Sequence, residues 1–320
     1  MSPSLLLTSS LFQNTSGPHL DVLAAAGLRI SSLRGPLPES ELIESLGEFD
    51  GLLCDNDDVT AAVLETACPR LKVISKVGAS TDSIDLAACQ KHGVTVLTTS
   101  GINHHSVAEL TFGLILSMSR NIPSASQAIR DGLWPREPGH ELRDRRLGVV
   151  GLGRIGQAVA RLGRAFGMRV VAYARSWPEE FAAELGLDRA SSLVDLAARS
   201  DILTLHPVLT PENAGMVEAA VLAALPEGAM LVNTSRAGLV DSRALLGALE
   251  SGRLGGYASD VPEGEPPDAD DPLVRHPRAL FTPHIGALTV QSIPRLLVRA
   301  SENLVGYFAG AQNRPAPSGP

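Results

Sequence analysis

Three short runs in the second half of the chain hold side chains that could do chemistry together. They are Val232-Asn233-Thr234-Ser235-Arg236-Ala237-Gly238, Ser259-Asp260-Val261-Pro262-Glu263-Gly264-Glu265-Pro266 and Thr282-Pro283-His284-Ile285-Gly286. Each follows an apolar run that reads as a β-strand. In an open α/β sheet, groups just beyond the carboxyl ends of strands converge on one crevice. Arg236, Glu265 and His284 are the types that a carbonyl reduction requires. A guanidinium holds an anionic substrate in a planar two-donor grip and polarises its carbonyl. An imidazole passes a proton near neutral pH, and a carboxylate orients that ring and holds its proton. Taken singly, each also has a plain structural explanation: a solvated loop cation, surface charge in the acidic stretch 263–271, a packed core histidine. Their shared placement after strands favours the chemical one.

A second signal stands near the middle of the chain. Gly151-Leu152-Gly153-Arg154-Ile155-Gly156 follows the apolar run Leu147-Gly148-Val149-Val150 and precedes the helix-like Gln157-Ala158-Val159-Ala160-Arg161-Leu162. Strand, tight glycine turn and helix in that order form a dinucleotide-binding fingerprint. The first glycine makes the turn, the second lets the backbone approach a pyrophosphate, and the third packs helix on strand. The next strand ends in Val170-Val171-Ala172-Tyr173-Ala174-Arg175-Ser176. An Asp or Glu at this point would accept the ribose hydroxyls of NAD. Ala174 removes that acceptor, while Arg175 and Ser176 offer a charge and a hydroxyl to a 2′-phosphate. NADP is therefore expected over NAD.

Nearly half of the chain precedes this fingerprint, so a nucleotide domain is expected to interrupt another domain. The 320 residues exceed what one hydrophobic core usually serves. Short apolar runs at 5–7, 51–54, 71–75 and 95–97 read as strands, with helices at 20–26, 41–46, 59–67 and 84–91 between them. A long apolar helix is expected at 106–120, with Ser106 and Glu109 spaced as a capping box. A second alternating series has strands at 148–150, 170–173, 202–205, 230–233, 256–259 and 280–282. A last amphipathic helix at 290–308 is expected to return to the first domain. This alternation argues for two doubly wound parallel sheets. The expected division is 1–102 with 287–320 as a discontinuous substrate domain, and 103–286 as the cofactor domain. The polar, proline-rich stretch 313–320 reads as a disordered tail.

Composition narrows the partners. The net charge is −8 without a Lys/Arg cluster, which disfavours nucleic acid and acidic membranes. Cys54, Cys68 and Cys89 have neither C-x-x-C nor zinc spacing, so they read as reduced thiols of a cytoplasmic protein, and no metal is expected. No apolar run is long enough to span a bilayer, and the amino terminus lacks a secretory pattern.

The chain as a whole resembles the NAD(P)-dependent D-2-hydroxyacid dehydrogenases. The resemblance rests on Leu71-Lys72-Val73-Ile74-Ser75-Lys76-Val77-Gly78, Asp82-Ser83-Ile84-Asp85, Ser106-Val107-Ala108-Glu109-Leu110, the fingerprint, and the three strand-end runs. It implies that His284 is the acid/base, Glu265 its partner and Arg236 the substrate-binding cation. It implies cofactor contacts from Gly151, Gly153, Arg154, Ile155, Gly156, Ala174, Arg175 and Ser176. Further contacts are implied for His206, Pro207, Thr234, Ser235, Arg236, Asp260, His284 and Gly286. The loop Gly78-Ala79-Ser80 would offer backbone N–H groups to a substrate carboxylate, beside Arg236 and His284. Ser80 stands where the family often has a second glycine. Cys54-Asp55-Asn56-Asp57-Asp58 replaces a cation found in phosphoglycerate-type members, which disfavours a phosphorylated substrate. Glyoxylate and hydroxypyruvate are the favoured substrates, and a homodimer is implied. The alternatives are relatives that act on formate, phosphite or bulkier 2-keto acids, and a nucleotide-sensing corepressor of the same architecture.

Overall fold

The computed structural model describes residues 2–310, so the expected tail lies outside the described residues. The chain divides into two compact units. One runs up to Asn103 and resumes at Leu288; the other is His104–Ala287.

In the first unit, strands β1 (Ser4–Leu7), β2 (Arg29–Ser32), β3 (Gly51–Cys54), β4 (Val73–Lys76) and β5 (Thr95–Thr98) form one parallel sheet in the order β2-β1-β3-β4-β5. β1, β3 and β4 are buried along their whole length, which explains their continuous apolar runs. β2 is an exposed edge strand of sequence Arg-Ile-Ser-Ser, and sequence reasoning missed it for lack of an apolar run. Helices Glu39–Ser45, Ala61–Ala67 and Leu86–His92 supply the core on one face. Ser292–Phe308 packs against Pro18–Ala25, β4 and β5. Local chemistry sets the boundaries: the Asp85 carboxylate caps its helix by accepting from Ala88 N at 2.8 Å, and Gly93 ends it in the left-handed region.

The second unit carries β6 (Arg146–Val150), β7 (Arg169–Tyr173), β8 (Asp188–Arg189), β9 (Ile202–Leu205), β10 (Ala229–Asn233), β11 (Leu254–Ser259) and β12 (Ala279–Phe281). All are parallel, in the order β12-β11-β10-β9-β6-β7-β8. Helices His104–Ser119 and Arg154–Ala165 pack together on one face. Leu193–Ala198, Ala219–Ala224 and Ser242–Glu250 cover the other. Both units are thus doubly wound, as the alternation predicts. The strand order reverses between β6 and β9 in this unit and between β1 and β3 in the first, and such switch points are where open α/β sheets leave a crevice.

The capping box expected at Ser106 and Glu109 does not start its helix. The helix begins two residues earlier, at His104, because nothing between Asn103 and Ser106 breaks it. Ser106 is buried inside the first turn and Glu109 is exposed. The two-residue strand β8 and the helix Ile122–Arg130, which buries no residue, were also missed. The strand is too short to show a period, and the helix has apolar residues at helical spacing, Ile122, Ala125 and Ile129, that sequence reasoning overlooked.

His19 is a buried polar exception in the first unit. Its ring lies edge-on to Phe12 at 4.4 Å, fully covered, with no well-formed hydrogen bond to either nitrogen. Burial holds its pKa below the ordinary 6.5, outweighing the nearby Phe12 and Thr15 backbone groups and Asp21, which favour the charged form. A depressed folded-state pKa means that stability is complete above the unfolded value and is lost as pH falls through the folded one. The melting temperature should therefore drop on acidification below pH 6.5. Paired melts of wild type and His19→Phe across that range check this, because the phenylalanine variant should lose less.

Candidate active site

The glycine fingerprint folds as a turn from β6 into the helix Arg154–Ala165, at the switch point. Gly151 has φ 87°, and a Cβ there would come within 3.0 Å of Pro207 N. The loop after β9 therefore lies directly on this turn. A Cβ on Gly156 would sit 1.9 Å from Gly151 O, so the helix reaches the strand end only without a side chain at this position. A Cβ on Gly153, in contrast, would point into open space. Gly153 is the helix N-cap, and no side chain caps the helix amides. Uncapped N–H groups at a helix N-terminus beside an open backbone surface fit the pyrophosphate of a nicotinamide dinucleotide.

Around this cradle, Ala174 is buried while Arg175 and Ser176 are exposed at the end of β7. A neighbour not expected from sequence is Glu212. Its carboxyl lies below the usual range, through hydrogen bonds from Thr210 and from its own backbone and then through the Arg175 charge. It sits in the irregular loop after β9, where no motif marks it. His206 bonds Thr204 Oγ1 through Nε2 at 3.0 Å, and its Nδ1 is covered without a hydrogen-bond partner among the described residues. Burial pushes the His206 pKa down to about 3, so the ring is neutral at working pH.

The loop after β10 is tied internally. Asn233 is fully buried; its Nδ2 donates to Arg236 O at 2.8 Å and its Oδ1 accepts from Ser235 N at 3.0 Å. The Thr234 hydroxyl meets that of Thr111 at 3.0 Å, and Ser235 Oγ donates to Pro207 O at 2.5 Å. Arg236 is half-buried, with Nη1 on Ser235 O at 2.5 Å.

Beyond β11 and β12, His284 Nδ1 and Glu265 Oε1 stand 2.8 Å apart. The carboxylate can only accept, so Nδ1 carries the proton and Nε2 is the nitrogen left for a reacting oxygen. The two side chains are 40% and 44% exposed, and so reachable from solvent. His284 has φ 52°, an uncommon conformation for a residue with a Cβ. Asp260 is 2% exposed and accepts from Thr282, Ile285 and Gly286. The Gly286 amide is thereby engaged inside the protein.

Gly78, Ala79 and Ser80 follow β4 in the first unit. Gly78 N donates to Thr99 Oγ1 at 2.8 Å, so that amide is occupied. The Ala79 and Ser80 amides donate to no protein group among the described residues. Among the described residues, no cluster of three metal-ligating side chains occurs, and no helix is long and apolar enough to cross a membrane.

A fold and site of this kind define a nicotinamide-dinucleotide-binding α/β protein. Residues 112–286 match the family model of the D-isomer specific 2-hydroxyacid dehydrogenase, NAD binding domain. The chain belongs to the D-isomer specific 2-hydroxyacid dehydrogenase family. It is 39% identical over 259 residues to a D-3-phosphoglycerate dehydrogenase of Methanocaldococcus jannaschii, covering 80% of this chain and 49% of that one. It is 35% identical over 284 residues to a glyoxylate reductase of Aeropyrum pernix, covering 86% and 84%. A crystal structure of a Thermus thermophilus protein superposes with a TM-score of 0.88 at 36% identity, covering 98% and 99%. The chain spans about half the length of the curated phosphoglycerate dehydrogenases it matches.

Gly156→Ala should force the helix away from the turn, costing about 1–3 kcal/mol of stability. It should also weaken dinucleotide binding, because the helix amides and the turn move apart. Thermal melts and a fluorescence titration with the dinucleotide check both effects.

Proposed function

We propose that the protein interconverts a small, unphosphorylated 2-keto acid and the D-2-hydroxy acid, using NADPH in preference to NADH. The observation that carries this reading is the 2.8 Å His284–Glu265 pair in the loops next to Arg236. In the reductive direction a nicotinamide dinucleotide held at the Gly151–Gly156 turn would supply the hydride for the keto carbon. His284 gives its Nε2 proton to the carbonyl oxygen, so the product gains one hydride and one proton. Glu265 accepts the Nδ1–H hydrogen bond throughout and stabilises the imidazolium form from which the proton is given. Arg236 grips the carboxylate and carbonyl oxygens with its planar donor fork, which a lysine does not reproduce. In the first unit, the Ala79 and Ser80 amides are taken by no described protein group, which would suit a carboxylate.

The absence of a phosphate on the substrate is argued from the loop after β3. It presents Asp55, Asn56 and Asp58 at the surface edge that also carries Ala79 and Ser80. The Lys76 side chain is 3% exposed and donates to Asp55 O and to Asn56 Oδ1. Burial raises the Asp55 pKa against hydrogen bonds from Ser9 and Leu11 and the Lys76 charge. A phosphate of charge about −2 would meet the exposed Asp58, with the Lys76 cation already engaged by Asp55 O and Asn56. Glyoxylate and hydroxypyruvate, which carry no phosphate, are the substrates proposed. A homodimer completes the proposal, supported by the unburied helix Ile122–Arg130 and by Trp134, which is 79% exposed; a cytoplasmic location is proposed from the free thiols of Cys54, Cys68 and Cys89.

His284→Ala should lower kcat by about a hundredfold or more with cofactor affinity unchanged. Glu265→Gln should give a smaller loss in the same parameter. The check is NADPH absorbance against a panel of 2-keto acids, with cofactor affinity titrated separately; full turnover in the alanine variant would remove His284 from the proton route.

The NADPH preference rests on Ala174, Arg175 and Ser176. Arg175→Ala should raise KM for NADPH about tenfold or more while leaving NADH nearly unchanged. Side-by-side kinetics decide it, and a higher kcat/KM with NADH in the wild type would reverse the preference.

A further inference from the structure

Asp260 lies one residue beyond β11, and its carboxylate faces both flanks of His284. Oδ1 accepts from the Thr282 hydroxyl at 2.6 Å and from Ile285 N at 2.9 Å; Oδ2 accepts from Gly286 N at 2.8 Å. His284 sits between these anchors at φ 52°, with its own amide donating to Thr282 O at 3.0 Å. A residue with a Cβ leaves the left-handed region unless its neighbours hold it there. Here one buried carboxylate holds the residues on either side. A Cβ at Gly286 would come within 3.0 Å of Oδ2 and against Val107 and Leu110, so its absence gives that amide its approach.

We propose that Asp260 is a positioning residue for proton transfer. Its buried carboxylate clamps Thr282, Ile285 and Gly286, and so fixes His284 left-handed with Nδ1 on Glu265. What the proton is used for rests on the dehydrogenase reading; the clamp does not. All three partners present donors to the carboxylate. An asparagine at this position would turn an NH2 group toward either the Gly286 or the Ile285 amide, whichever way it is placed, leaving donor facing donor. The flank so released would let His284 relax, and a misplacement of this kind in a reacting group costs on the order of a hundredfold in rate.

The test uses Asp260→Asn, Thr282→Val and Thr282→Ser in the full chain, each checked for folding by thermal melt. Protein labelled with 15N-histidine reports the Nδ1 proton of His284 as a resonance identified by its disappearance in His284→Ala. Asp260→Asn should abolish or shift this resonance and lower kcat about a hundredfold, with cofactor Kd within about twofold of wild type. Thr282→Val should move both readouts the same way by less, and Thr282→Ser should restore them; this pair decides the matter if Asp260→Asn does not fold. An unchanged resonance in Asp260→Asn, or a loss confined to cofactor Kd with kcat intact, would overturn the clamp. If the wild type reduces no keto acid, the dehydrogenase reading fails and the resonance alone decides the clamp.

Discussion

Every strand of the second sheet runs parallel to its neighbours, and this constraint governs the rest of the site. Parallel order gathers the carboxyl ends of β6, β7, β9, β10, β11 and β12 along one edge, and each chain return must cross a face of the sheet. Loops far apart in sequence therefore line the same edge: the turn at Gly151, the loop at Arg236 and the loop at His284. The constraint also explains the buried polar bonds at this edge. Loops leaving a buried sheet carry backbone groups that need partners, and Asn233, Ser235 and Asp260 supply them. The chemistry is thus mounted on side chains whose first task is to satisfy the ends of the strands.

The most legible features in the sequence were those with a repeating physical cause. Strands buried on both faces had to be continuous apolar runs, so β1, β3, β6, β9 and β10 stood out. The glycine turn was visible because its three positions answer to three separate steric demands, two of which the packing of Gly151 and Gly156 displays directly. The pairing of His284 with Glu265 was foreseeable from residue types placed after adjacent strands. The exposed strand β2 and the short β8 were hidden, since neither buries an apolar face. Ser106 misled because a capping box is a local pattern, and the helix simply continued through it.

Partner identity was the part that spacing did not encode. Gly78 looked like a donor to a ligand, yet its amide is taken by Thr99, a residue some twenty positions away. Glu212 near Arg175 depends on the path of an irregular loop. Asp260 was expected only as a neighbour of the cofactor, while its carboxylate turns to the flanks of His284. In each case a long-range hydrogen bond or charge contact assigns the group, and such contacts leave no periodic trace in a sequence.

The central claim is that the crevice joins hydride delivery to proton donation by His284 on a 2-keto acid. Incubation with hydroxypyruvate and NADPH deuterated at the transferable position tests it most directly, with the product analysed for label and configuration. The account predicts D-glycerate with deuterium at C2, formed by the wild type and reduced to trace amounts by His284→Ala. An L-configured product, unlabelled C2, or equal yield from His284→Ala would contradict it.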